Sequence, residues 1–245
     1  MIRAALLLLV LFALPAGAAE CRKETYNGSG YAICEVDLTQ EKLALFLYND
    51  AGKPFGHFGN VDAALRTQGM TLGFAMNAGM YHDNRAPVGY YLENRTVLQR
   101  VISSAGPGNF GLLPNGVFCL REGRADVIET RAFLAAAPDC ISATQSGPML
   151  VINGALHPRF LIDSTSRYIR NGVGTTADGT RAVFVISDTA VTFHEFGSLF
   201  RDHLKLPNAL YFDGNVSRLR APGLGRDDIG FTDLGPIIGV VQGAE

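Results

Sequence analysis

The sequence has no block of basic residues, no apolar run long enough to cross a bilayer, and none of the short motifs of nucleotide or zinc chemistry. Lys and Arg number 21 against 23 Asp and Glu, for a net charge of −2, which argues against nucleic acid or an anionic membrane surface as a partner. The one long apolar run, Ala4 to Leu14, falls short of the roughly 20 residues a membrane span needs. It follows Arg3, is broken by Pro15 and leads into Ala16-Gly17-Ala18, the A-x-A form of a signal-peptidase site. A lipoprotein needs a small residue directly before the cysteine, and Glu20 holds that place. The expectation is a cleaved signal peptide over residues 1–18 and an exported, periplasmic or secreted domain over 19–245, with no stable membrane anchor.

Motif absences narrow the chemistry further. There is no H-E-x-x-H, and His194 and Glu195 are adjacent, so a strand would point them to opposite faces. Neither G-x-G-x-x-G nor G-x-x-x-x-G-K-[ST] occurs, and no EF-hand spacing is present. Ser146 lies in Q-S-G-P rather than the G-x-S-x-G elbow of a serine hydrolase. No metal and no cofactor are expected.

Four cysteines in an exported chain fit disulfides, and four allow three pairings. Cys21–Cys34 with Cys119–Cys140 is favoured because each bond closes a local loop. No cysteine pair has the two-to-four-residue spacing of a zinc site.

Alternating apolar patterns recur in YAICEVD, KLALFLYN, VGYYLE, TVLQRVI, GVFCLR, ADVIE, PMLVING, RAVFVIS and PIIGVVQ. Turn residues separate them at Glu93-Asn94-Arg95, Glu122-Gly123, Asn153-Gly154, Asp178-Gly179 and Ser187-Asp188. Three segments read as helices: NVDAALRTQG with Asn60 as N-cap, TRAFLAAAP, and HEFGSLFRDHLKLP. Strands dominate without β–α alternation. The expected class is therefore α+β, a strand-rich single domain with a mixed or antiparallel sheet and a few helices.

Four polar clusters sit at strand edges. MNAGMYHDNRAPVGYY carries Asn77, Gly79, His82, Asp83, Asn84 and Arg85. ATQSGPMLVING carries Thr144, Gln145, Ser146 and Gly147. STSRYIRNGVGTTADG carries Arg167, Arg170 and Asn171, and NALYFDGNVSRLRAP carries Asp213, Gly214, Asn215, Ser217 and Arg218. Each has a plain structural reading. Asn-Gly and Asp-Gly favour turns, and exposed arginines form weak ion pairs worth roughly 0–1 kcal/mol. Together they can instead line one cleft, with two arginines three residues apart gripping a phosphate.

The order of FAMNAGMY, PVGYYLEN, PNGVFCL, ATQSGPMLVING, SRYIRNGVGTTADG and NALYFDGNVSRL resembles the phosphodiester glycosidase family, that of the lysosomal uncovering enzyme, in its bacterial secreted branch. The resemblance runs from about Phe74 to the C-terminus. It implies hydrolysis of a phosphodiester-linked sugar, an envelope or exopolysaccharide component. Asp213 and Arg170 stand at the family's catalytic segments, and Asn77, Gly79, Thr144, Gln145, Ser146, Gly147, Arg167, Asn171, Gly214 and Ser217 are placed around substrate. Asp213 would act as base, nucleophile or electrostatic partner of the anomeric carbon. Asp188 and Glu195 are the candidates for a second carboxylate. Ala78 replaces one family glycine, and Asn215-Val216 replace the last two of D-G-G-G-S, so the reaction class carries over and the sugar does not. The alternative is a glycan-binding protein on the same scaffold that does not turn over.

Overall fold

A computed structural model describes residues 19–244, and the expected signal segment, 1–18, lies outside them. The chain builds three sheets. The largest has the order β1 (Glu20–Tyr26), β2 (Ser29–Asp37), β13 (Arg181–Ser187), β12 (Asn171–Thr175), β14 (Asn208–Asp213), β10 (Met149–Ile152), β11 (Ala155–Leu156). A second runs β16 (Arg226–Asp227), β15 (Leu219–Ala221), β4 (Met70–Asn77), β17 (Ile237–Gly243), β3 (Lys42–Phe46). The third is β6 (Thr96–Gln99), β5 (Tyr91–Glu93), β9 (Ser142–Ser146), β7 (Gly116–Arg121), β8 (Arg124–Glu129). Every pairing between these strands is antiparallel, which resolves the α+β expectation in favour of antiparallel sheets.

Period-two alternation distributes the strands' side chains between separate cores. Along β14, Leu210 and Phe212 join a central core with Phe74 and Met76 of the second sheet and Phe118 of the third. Ala209 and Tyr211, on the opposite face, pack under α3 (Phe193–Ser198) and the π turn Leu199–His203, against Phe196 and Phe200. Strand β14 is thus buried on both sides, which explains its near-continuous apolar run. Helix α1 (Phe58–Arg66) covers the outer face of the second sheet with Phe58, Val61 and Leu65. Helix α2 (Thr130–Ala136) covers the third sheet with Phe133.

Both expected disulfides, Cys21–Cys34 and Cys119–Cys140, are formed. Hairpin turns fall where the turn residues put them, with left-handed backbone at Asn94, Arg95, Gly123, Asn153, Gly154 and Gly179. Two local expectations change. Helix α1 starts at Phe58, two residues before Asn60, because burial of Phe58 extends the first turn; the Asn60 side chain donates instead to Phe55 O at 2.6 Å. Asp213-Gly214 is no hairpin turn: Gly214 is not left-handed, and the chain leaves the first sheet there to enter the second at Leu219.

No described helix is long and apolar enough to cross a membrane, and no cluster of metal-ligating side chains occurs among the described residues.

Candidate active site

The three sheets meet at one corner, where buried polar side chains join them in pairs. Thr144 Oγ1, on β9, donates to Ala78 O just past β4 at 2.7 Å. A Cβ on Gly79 would lie 3.0 Å from that hydroxyl, and Gly79 has φ +142°, so glycine is needed on both counts. Ser146 Oγ donates to Phe212 O on β14 at 2.8 Å. Asn171 Nδ2, on β12, donates to Asn77 Oδ1 at 2.9 Å and Asn77 O at 3.1 Å. Asn171 Oδ1 accepts from Asp213 N at 3.0 Å, while Asn77 Oδ1 also accepts from Arg218 N at 2.9 Å. Asn77, Asn171 and Ser146 are fully buried, so these bonds form in a low-dielectric setting where satisfied networks hold geometry firmly.

This corner fixes Asp213 at the end of β14. Ser217 Oγ lies 2.9 Å from Asp213 O and 3.1 Å from Ile169 O, drawing the following bend back onto the strand. Asp213 Oδ1 accepts from Gly214 N at 2.6 Å and Asn215 N at 2.9 Å. Burial nevertheless pushes the carboxyl above its ordinary value, with the amides of Asn215, Gly214 and Val216 opposing. Asp213 is 9% exposed, and it faces a cleft of about 410 Å³ walled by Tyr81, Asp83, Arg85, Asn109, Phe110, Val216 and Thr232.

The other expected site residues fall behind or beside the cleft. Arg170 is 0% exposed, its guanidinium carbon 3.7 Å from the Phe193 ring centroid, with Nε donating to Val191 O and Nη2 to Ser166 O. Burial pulls its pKa below the ordinary arginine value. Tyr211, fully buried, has its ring 5.5 Å from the same guanidinium, and its hydroxyl lies where a Cβ on Gly214 would be, 1.8 Å from that position. Arg167 does not converge with Arg170. It forms a bidentate pair with Glu195 at 2.6 and 3.0 Å, both side chains substantially exposed.

Gln145 is spent on the loop at Tyr90 and Ile102, accepting from both backbone amides and donating to Ile102 O, and Gly147 lies against Asn115. Asp188 pairs with Arg226 at 2.9 Å, and Glu195 closes the capping box of α3; neither walls the cleft. The second carboxylate in the cleft is Asp83. Asp83 and Arg85 stand out in the sequence as part of a polar loop, but nothing there marks Tyr81, Asn109, Phe110 or Thr232.

Among the described residues, seven buried side-chain polar atoms lack a partner, and four belong to this corner: Asn77 Nδ2, Arg85 Nε, Arg170 Nη1 and Tyr211 Oη. Of these residues only Arg85 walls the cleft, and Arg170 and Tyr211 lie within hydrogen-bonding reach of each other behind it.

Comparison with known proteins places this geometry. The uncharacterized protein YigE of Escherichia coli is 32% identical over 219 residues, covering 89% of this chain and 84% of that protein. The zebrafish N-acetylglucosamine-1-phosphodiester alpha-N-acetylglucosaminidase catalytic domain, auto-inhibited by its pro-peptide, superposes with a TM-score of 0.61 at 11% identity, over 92% of this chain and 84% of that one. A hypothetical protein from Synechocystis matches with a TM-score of 0.58 at 14% identity, over 90% of this chain and 61% of that one. At these identities the two structures establish a shared fold. Residues 70–221 match the family described as phosphodiester glycosidase, and the chain belongs to that family.

Proposed function

We propose that the protein is an exported hydrolase that cleaves the bond between a sugar and a phosphodiester, in an envelope or exopolysaccharide component of the periplasm or cell exterior. The observation that carries this reading is a buried carboxyl of raised pKa, Asp213, facing a cleft walled largely by polar side chains. Water attacks the anomeric carbon and gives its proton to Asp213. The C1–O bond breaks, and its electron pair leaves on the phosphate monoester. Because phosphate leaves readily, the site needs charge complementarity more than strong acid assistance, and stabilisation of an oxocarbenium-like transition state. Arg170 supports this from behind as a positioning residue, through Tyr211 and the Asp213-Gly214 bend. The two disulfides suit an oxidising compartment.

The mature chain is expected to release reducing sugar from a synthetic sugar-1-phosphodiester, and Asp213→Asn to abolish that release while keeping the wild-type circular dichroism spectrum. Full turnover by a folded Asp213→Asn removes Asp213 from the chemistry. Calorimetric binding of the phosphodiester without product after long incubation favours the non-catalytic glycan-binding alternative.

A further inference from the structure

Arg85 is the one Lys or Arg that walls the Asp213 cleft among the described residues. The other arginines near this corner do not reach the cleft. Arg167 is paired with Glu195, Arg170 is sealed behind Phe193, and Arg218, itself buried, walls a separate pocket with Asp227 and Asp228. Arg85 has no carboxylate within salt-bridge distance among the described residues. Its Nη1 donates only to Asp83 O in its own loop at 2.8 Å, and its Nε is buried with no partner.

The loop holds this arginine in a defined place. Arg85 has φ +69°, uncommon for a residue with a Cβ and found where the surrounding structure enforces it. Its amide donates to His82 O at 2.7 Å, His82 N donates to Ala86 O at 2.9 Å, and the Asn84 side chain accepts from Ala86 N at 3.1 Å. The guanidinium carbon stands 5.5 Å from the Tyr81 ring centroid, a cation–π distance. Tyr81 in turn donates its hydroxyl to Asp233 O at 3.2 Å. The Tyr81 hydroxyl is pushed up by burial and then by the Asp213 carboxylate, with a smaller rise from Asp233, while Arg85 and Arg218 oppose.

We propose that Arg85, seated on Tyr81, is the residue that binds the phosphate of the substrate's leaving group, in the cleft that Asp213 also lines. This assignment rests on the phosphodiester reading above and gives the phosphate a different partner from the arginine pair expected from sequence. A guanidinium presents two parallel N–H groups to phosphate oxygens, a geometry that lysine cannot reproduce. As C1–O breaks, the negative charge that gathers on the departing phosphate is met by this fixed cation.

The test uses the mature chain and two substrates of the same sugar, one a 1-phosphodiester and one an uncharged nitrophenyl glycoside. Arg85→Gln is expected to lower the ratio of kcat/KM for phosphodiester over aryl glycoside by roughly 10–100-fold, the range for a charge-assisted hydrogen bond. Arg85→Lys should recover part of the ratio. An unchanged ratio in folded Arg85→Gln overturns the assignment. Should the wild type hydrolyse neither substrate, the phosphodiester reading fails, and titration with inorganic phosphate by calorimetry still decides Arg85. Phosphate binding that weakens with salt and disappears in Arg85→Gln supports the subsite; equal binding by wild type and variant overturns it.

Discussion

Gly214→Ala probes how Asp213 is held. The new methyl would stand 1.8 Å from Tyr211 Oη and 3.0 Å from its Cζ, where ordinary contact begins near 3.4 Å. Tyr211 cannot swing away, because its ring is fully buried and packs edge-on against Phe193 at 4.8 Å, beneath Arg170. Overpacking of this kind costs about 1–3 kcal/mol, and a chain of this size loses about 2–4 °C in Tm for each kcal/mol. Tyr211→Phe removes a buried hydroxyl beside the Arg170 guanidinium, and the single variant gives its own cost. Because it also removes the 1.8 Å contact, the double variant should recover at least about 1 kcal/mol of the Gly214→Ala loss, leaving the 3.0 Å contact to the ring as the residue of strain. Chemical denaturation of the four proteins gives the coupling directly. Effects that add to within about 0.5 kcal/mol would refute steric support of the Asp213 bend by Tyr211.

Burial raises the Asp213 carboxyl above its ordinary value, so between the two values the folded chain keeps a proton that the unfolded chain has released. Stability therefore falls as pH rises through that window. Asp213→Asn should flatten this fall and leave the variant at least as stable as wild type at neutral pH, as scanning calorimetry across the acid range would record; a less stable variant with a steeper pH dependence contradicts it. Replacing Cys119 and Cys140 by alanine opens a loop with a sequence separation of 21 and should cost roughly 3 kcal/mol in urea unfolding; no loss would mean the bond does not restrict the unfolded chain. Arg167→Ala, which breaks an exposed pair, should cost no more than about 1 kcal/mol, and a larger drop in thermal midpoint would mean that the pair is part of a wider network.

The strands that face a core on one or both sides were readable because their apolar residues repeat at the right period. YAICEVD, RAVFVIS and PIIGVVQ became β2, β13 and β17 for that reason. SATQS was not readable as a strand. All five of its residues are buried, and the partners of Thr144, Gln145 and Ser146 lie far off in sequence, at Ala78, Ile102 and Phe212. No local signal separates such a strand from a loop, since its stability comes from contacts distant in sequence. Asn60 failed as a cap for a related reason: a local preference worth about 1 kcal/mol gave way to burial of Phe58.

The same distinction runs through the candidate site. Asp213-Gly214 alone signals only a turn; the resemblance of its segment singled Asp213 out, and the side chain faces a cleft. Arginine is rarely buried, so Arg170 read as a cation free to hold the phosphate, whereas Phe193 and Tyr211, from segments far along the chain, enclose it. Arg85 was visible only as one polar residue among several, because its left-handed backbone and missing carboxylate partner are properties of the folded loop. Polar residues that stand out in a sequence of this kind serve two ends, joining sheets and facing ligand. Thr144, Ser146 and Asn171 have their bonds made inside the protein, whereas Arg85 walls a cleft with no carboxylate partner among the described residues. Composition treats the two sets alike, and only their partners and their place in the fold separate the residues that build the corner from the arginine that walls the cleft.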